Sequence, residues 1–157
     1  MTCLLEVLEA YRAVAAPAAI MSAAIRYINR VEIPLASDLA LATYFTTLPP
    51  LPAGVSEPVA EFQLRTAVAY DEVPRARLSF SFASAPSPPE VASFLLDYEH
   101  ASAGPDAPTF DTLAAWLDEG HTRIERAFHG SVTQVTRRDI FKEVAARVSS
   151  SRAETTL

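Results

Sequence analysis

The sequence predicts an α+β domain: a mostly antiparallel four-stranded sheet with helices on one face, in the order α-β-α-β-β-β-α-α. Three observations carry that prediction. Residues 25–33 alternate, with Ile25, Tyr27, Val31 and Ile33 on one side and Arg26, Arg30 and Glu32 on the other, the period of a half-buried strand. Two more alternating runs, 61–70 and 75–82, are separated only by Asp71-Glu72-Val73-Pro74, which is hairpin spacing. Residues 110–129 place Phe110, Leu113, Leu117, Ile124 and Phe128 on one helical stripe.

The elements follow in order. Leu4, Val7, Leu8, Tyr11, Val14 and Ala15 have the spacing of an amphipathic helix over 4–16, ended by Pro17. The strand 24–33 is closed by Pro34, which cannot donate to a ladder. Ser37-Asp38 reads as the cap of a short helix ending near Phe45. The proline-rich stretch from Thr46 to Pro58 must be irregular. Phe62, Leu64, Thr66, Val68 and Tyr70 form one face of the next strand, and Leu78, Phe80 and Phe82 one face of its hairpin partner. A fourth strand, 91–98, points Ala92, Phe94, Leu96 and Tyr98 inward and Asp97 outward, with Glu99 beyond it also outward. The loop 101–108 leads to Thr109, an N-cap for the long helix, and Gly130 is its stop. Glu119 and Arg123 form an i, i+4 pair. Thr136-x-x-Asp139 opens a last helix carrying Phe141, Val144, Ala145 and Val148. One domain spans 1–148, and 149–157 is a flexible C-terminal tail.

Composition narrows the function classes. A chain of 157 residues with net charge −6 is one domain that, as a whole, repels nucleic acid and anionic membranes. Every basic residue except Lys142 is arginine, which suits a GC-rich genome, as the many alanines do. Cys3 is the only cysteine, so an intrachain disulfide is impossible and a reducing cytoplasm fits. No apolar run approaches the ~18 residues of a membrane span. No cofactor or metal is expected: the three histidines lack metal-ligand spacing, and no phosphate-binding glycine loop is present.

Few residues stand out for chemistry. Arg26, Arg30, Arg65 and Arg77 share the wet face of the expected sheet and are the candidate anion- or ligand-binding set. Arg26 and Arg30 lie roughly 13 Å apart along one strand. Against that reading, Glu32, Glu61, Asp97 and Glu99 can pair with them across strands, and the aromatic residues point inward, leaving little for bases to stack on. His121, between Leu117 and Ile124, is expected as a buried, hydrogen-bonded structural histidine. A catalytic role would make it a general base oriented by Asp97 or Glu99, but no nucleophile is evident. Asn29, inward between Tyr27 and Val31, is the second candidate buried polar group, tying its strand to a loop or partner.

The run Arg26-Tyr27-Ile28-Asn29-Arg30-Val31-Glu32-Ile33-Pro34 also resembles the strand that opens the second half of a sporadically distributed prokaryotic family of unknown function. Tyr44-Phe45, Phe62-Gln63-Leu64-Arg65, Leu95-Leu96-Asp97 and Leu117-Asp118-Glu119-x-His121-x-x-Ile124-x-x-x-Phe128 follow in the same order. The resemblance implies no activity. It does imply a preceding half that this chain lacks, and hence a surface to be covered. The expected function is a noncatalytic cytoplasmic module acting through protein association, with a homodimer or a separate chain as partner through a strand 24–33 at the sheet edge. Nucleic-acid or phosphate binding on the arginine face is the alternative, and a small hydrolase using His121 the third.

Overall fold

The computed structural model describes residues 2–35, 39–55, 59, 61–71 and 75–142. Strands β1 (Ser22–Pro34), β2 (Gln63–Tyr70), β3 (Ala76–Ala85) and β4 (Val91–Ala103) form one sheet in the order β1-β4-β3-β2, with every neighbour antiparallel. Helix α1 (Thr2–Ala15) precedes the sheet and α2 (Leu113–Ser131) follows it. The α+β class and the antiparallel sheet are thus as the sequence predicts.

Alternation decides which way each strand faces. Tyr98 of β4 lies between Tyr27 and Phe80, and Leu96 between Asn29 and Phe82, all on the side covered by α2. On that side Val31, Ile33, Phe82, Phe94, Leu96 and Tyr98 are buried. Phe45 enters from the loop and packs on the rings of Phe82 and Phe94 at 4.6 and 5.2 Å. The segment around Phe45 is held by a bridge to Val132 and by Thr133 N–H donating to Tyr44 O at 3.0 Å. This closes one end of the core.

Several boundaries differ from the sequence reading. β4 runs on to Ala103, so residues 101–103 are strand and not loop. Its extension, Glu99-His100-Ala101-Ser102-Ala103, keeps the alternation with small and polar residues, which hydropathy does not register. The short helix before Phe45 is a single 3-10 turn, Leu41–Thr43, and its expected cap at Ser37-Asp38 lies outside the described residues. Helix α2 begins at Leu113 instead of Phe110, because Thr109 and Thr112 close a turn by bonding each other at 2.9–3.4 Å. It also runs through Gly130 to Ser131. Thr136–Ile140 is a π-type turn, and the rest of the expected last helix and the tail 149–157 fall outside the described residues.

Helix α1 ends where expected. Pro17 disfavours the right-handed helical conformation in the residue before it, and Ala16 turns left-handed at φ 42°. Leu8, Ile20, Ala23 and Ile25 pack on Leu113, Trp116 and Leu117 of α2, so α1 joins the same side of the sheet. Its Arg12 reaches Asp111 at 3.4 Å and lies over the Phe110 ring.

Candidate functional site: the open sheet face and the free edge of β1

The wet face of the sheet reads in cross-strand rows. One row is Ala24–Ala101–Arg77–Ala69, the next Arg26–Glu99–Ser79–Ala67, then Ile28–Asp97–Ser81–Arg65, then Arg30–Leu95–Ala83–Gln63. All four candidate arginines lie on this face, as predicted, yet no two share a row.

Two of them are already bound. Arg26 grips Asp97 with both arms, at 2.8 and 2.5 Å, and this bond is the main reason the Asp97 carboxyl sits below its usual range, with Arg65 adding to the effect. Arg30 donates to Glu32 at 2.8 Å, to Pro86 O at 2.9 Å and to Ser93 Oγ at 3.1 Å. Among the described residues Arg65 and Arg77 carry no ion pair. Arg65 and Arg26 do share a shallow groove of about 260 Å³ with Gln63, Ser79, Ser81, Asp97 and Glu99. Two carboxylates in that groove counter the arginines, so its charge is mixed rather than cationic.

His121 is not where the sequence places it. It is exposed, and its Nδ1 shares a hydrogen bond of 3.0 Å with the Tyr27 hydroxyl. The buried stripe of α2 is Leu113, Trp116, Leu117, Gly120, Arg123 and Ile124, so position 121 falls on the flank. Gly120 explains the rotation: a Cβ there would stand 2.6 Å from His100 Cδ2 and 3.0 Å from Ile25 Cγ2. The helix touches the sheet at its glycine, and Leu117 and Ile124 straddle that contact instead of His121. His121 also lies on the opposite side of the sheet from Asp97 and Glu99, so neither orients it. Nor is Asn29 fully buried: it is half-buried in a cleft of about 210 Å³ with Tyr27, His121, Glu125, Phe128 and His129.

The buried histidine is His100, which lies beyond the expected strand end at Tyr98. It is 1% exposed, stacks near Trp116 at 4.9 Å, and burial pushes its pKa down, with Arg123 acting in the same direction. Arg123 itself is buried, bonded to Glu119 at 2.6 Å and laid over the Tyr70 ring at 3.9 Å. Burial also pushes the Tyr98 hydroxyl up to about 12, while the neighbouring Ser131 pulls it slightly the other way. These groups pack the interior, with Gly120 pressed on His100. Among the described residues no group of three or more metal-ligating side chains occurs, and no helix is long and apolar enough to cross a membrane.

Among the described residues no strand pairs with the outer edge of β1, and this is the less conventional feature. Gly104 N–H donates to Met21 O at 2.9 Å, and Leu35 N–H donates to Glu90 O at 2.8 Å. Both contacts fit the register that runs unbroken from Ser22↔Ala103 to Pro34↔Val91. Successive residues of a strand bond to opposite sides, so odd-numbered residues of β1 bond to β4. Ser22, Ala24, Arg26, Ile28, Arg30 and Glu32 aim their backbone groups away from it. Compared against family models, curated proteins and solved structures, the chain finds no match in any of the three.

Proposed function

We propose that this domain is a noncatalytic cytoplasmic module that works by association with another protein chain, added as a strand to the free edge of β1. The carrying observation is that edge. Proteins blunt exposed edges with short strands, bulges, edge charges or proline; β1 carries Arg26, Arg30, Glu32 and a closing Pro34, yet it is 13 residues long and bonded to β4 in unbroken register. Its outer side carries Ile28, 58% exposed. Helix α1, just before it in the chain, also leaves Val7, Tyr11 and Val14 largely in water. A lone cysteine, Cys3, supports the cytoplasmic setting.

The test is photocrosslinking in the producing cell, with a photoreactive side chain at Ile28 and a control at Ala67 on the opposite edge strand. Protein adducts at position 28 and none at 67 are expected. A clean, adduct-free chain from position 28 would overturn the reading.

A further inference from the structure

We propose that the chain covering the β1 edge is a second copy of this one, paired antiparallel to itself about Asn29, so that the two sheets become one. This rests on the association reading above and names its partner. Twofold antiparallel pairing matches residues whose numbers have a constant sum, and full backbone bonding needs outward-aimed residues to face each other. On β1 those are the even-numbered residues.

Charge then selects among the registers. Centring the pair on Ile28 sets Arg26 against Arg30 of the second copy, on both sides of the axis. Centring on Arg30 sets that residue against itself. Like charges directly opposite are unfavourable, and both registers fail. Centring on Tyr27 leaves every charge facing a neutral residue. Centring on Val31 does match Arg30 with Glu32, but it shortens the overlap and carries Arg26 beyond the end of the second copy's strand at Pro34.

Centring on Asn29 satisfies the charge requirement, and the bonding requirement everywhere but at Pro34, which lies opposite Ala24 and has no N–H to give. Arg26 faces Glu32 of the second copy, twice by symmetry, and Ile28 lies against the aliphatic stem of Arg30. All four residues aim their backbone groups at the new edge. On the helical side Tyr27 is set opposite Val31, which its own chain already buries, and the two Asn29 amides meet at the axis. In the single chain the Asn29 amide makes no side-chain hydrogen bond among the described residues, and an amide facing its own copy can both donate and accept.

The register is read by disulfide formation in the full chain carrying Cys3→Ser. Asn29 would face its copy in a non-hydrogen-bonded pair, where Cα atoms stand about 4.5 Å apart, close enough for the about 4.4–6.8 Å span of a disulfide. Asn29→Cys should therefore cross-link to a covalent dimer under mild oxidation. Tyr27→Cys should not, since its two copies lie roughly 13 Å apart along the strands, but it should cross-link when mixed with Val31→Cys. Sedimentation equilibrium of the unmodified chain should show a dimer, weakened about tenfold or more by Ile28→Pro or Glu32→Lys. A monomer at every concentration, with Asn29→Cys remaining reduced, would overturn the second copy as partner. If the crosslinker at Ile28 then still captures a chain of another mass, association stands with a different partner; if it captures nothing, both readings fall.

Discussion

Two helices with the same apolar spacing meet different fates in this molecule. Helix α2 presses its stripe onto β4 and buries Leu113, Trp116, Leu117 and Ile124. Helix α1 tucks in Leu8 but leaves Val7 at 62%, Tyr11 at 56% and Val14 at 90% exposure. Periodicity specifies a face to be covered; it does not supply the cover. The sheet has room for one helix close-packed along its centre, and α2 takes that place because Gly120 lets it approach His100. Helix α1 is left with apolar side chains in water, and β1 with backbone groups facing outward. The contrast separates a finished interior from an unfinished rim.

The sharpest way to break the comparison is at the tight contact. Gly120→Ala gains helix propensity of about 1 kcal/mol, but its new methyl meets a buried imidazole ring, not a flexible chain end. Overpacking of that kind costs about 1–3 kcal/mol, and a Cβ 2.6 Å from a fixed ring belongs at the upper end, so urea denaturation should show a net loss of up to about 2 kcal/mol. An unchanged or raised midpoint would mean that α2 sits farther from the sheet.

A smaller effect comes from the histidine beneath. Burial lowers the folded-state pKa of His100 from its ordinary 6.5. Below that value the unfolded chain takes up a proton that the folded chain refuses. Its contribution is therefore fully present above about pH 6.5 and is lost as pH falls toward the depressed pKa, by at most about 1.4 kcal/mol per pH unit. His100→Leu should flatten the difference between urea midpoints at pH 7.5 and 5.5. If the two chains lose stability in parallel over that interval, His100 is not buried neutral.

How far the sequence carried can be judged residue by residue. The facing of β1, β3 and β4 was legible because large apolar residues alternate with arginine, aspartate and glutamate there. The end of β4 was not, since His100, Ser102 and their alanine neighbours lack hydrophobic contrast. His121 was misplaced because Leu117 and Ile124 bracket it at helical spacing. The correct phase is set by Gly120, a residue that appears in no apolar pattern and matters through the atoms it omits. Wet-face placement of Arg26, Arg30, Arg65 and Arg77 was legible from strand parity. Their distribution over four separate rows needed the register of three strand pairs. The direction of the β1 backbone groups is likewise a property of pairing, invisible until β4 is known to lie on one side only.

The central claim, that β1 has one bonded side and one side awaiting a chain, is tested most directly by residue-resolved amide hydrogen exchange along β1 over a dilution series. The account predicts alternation in dilute protein: the amides of Ala23, Ile25, Tyr27, Asn29, Val31 and Ile33 protected by β4, and those of Ala24, Arg26, Ile28, Arg30 and Glu32 exchanging quickly. It further predicts that the second set gains protection as concentration rises. Equal protection of both sets at every dilution would show that the chain covers its own edge, and would contradict the account.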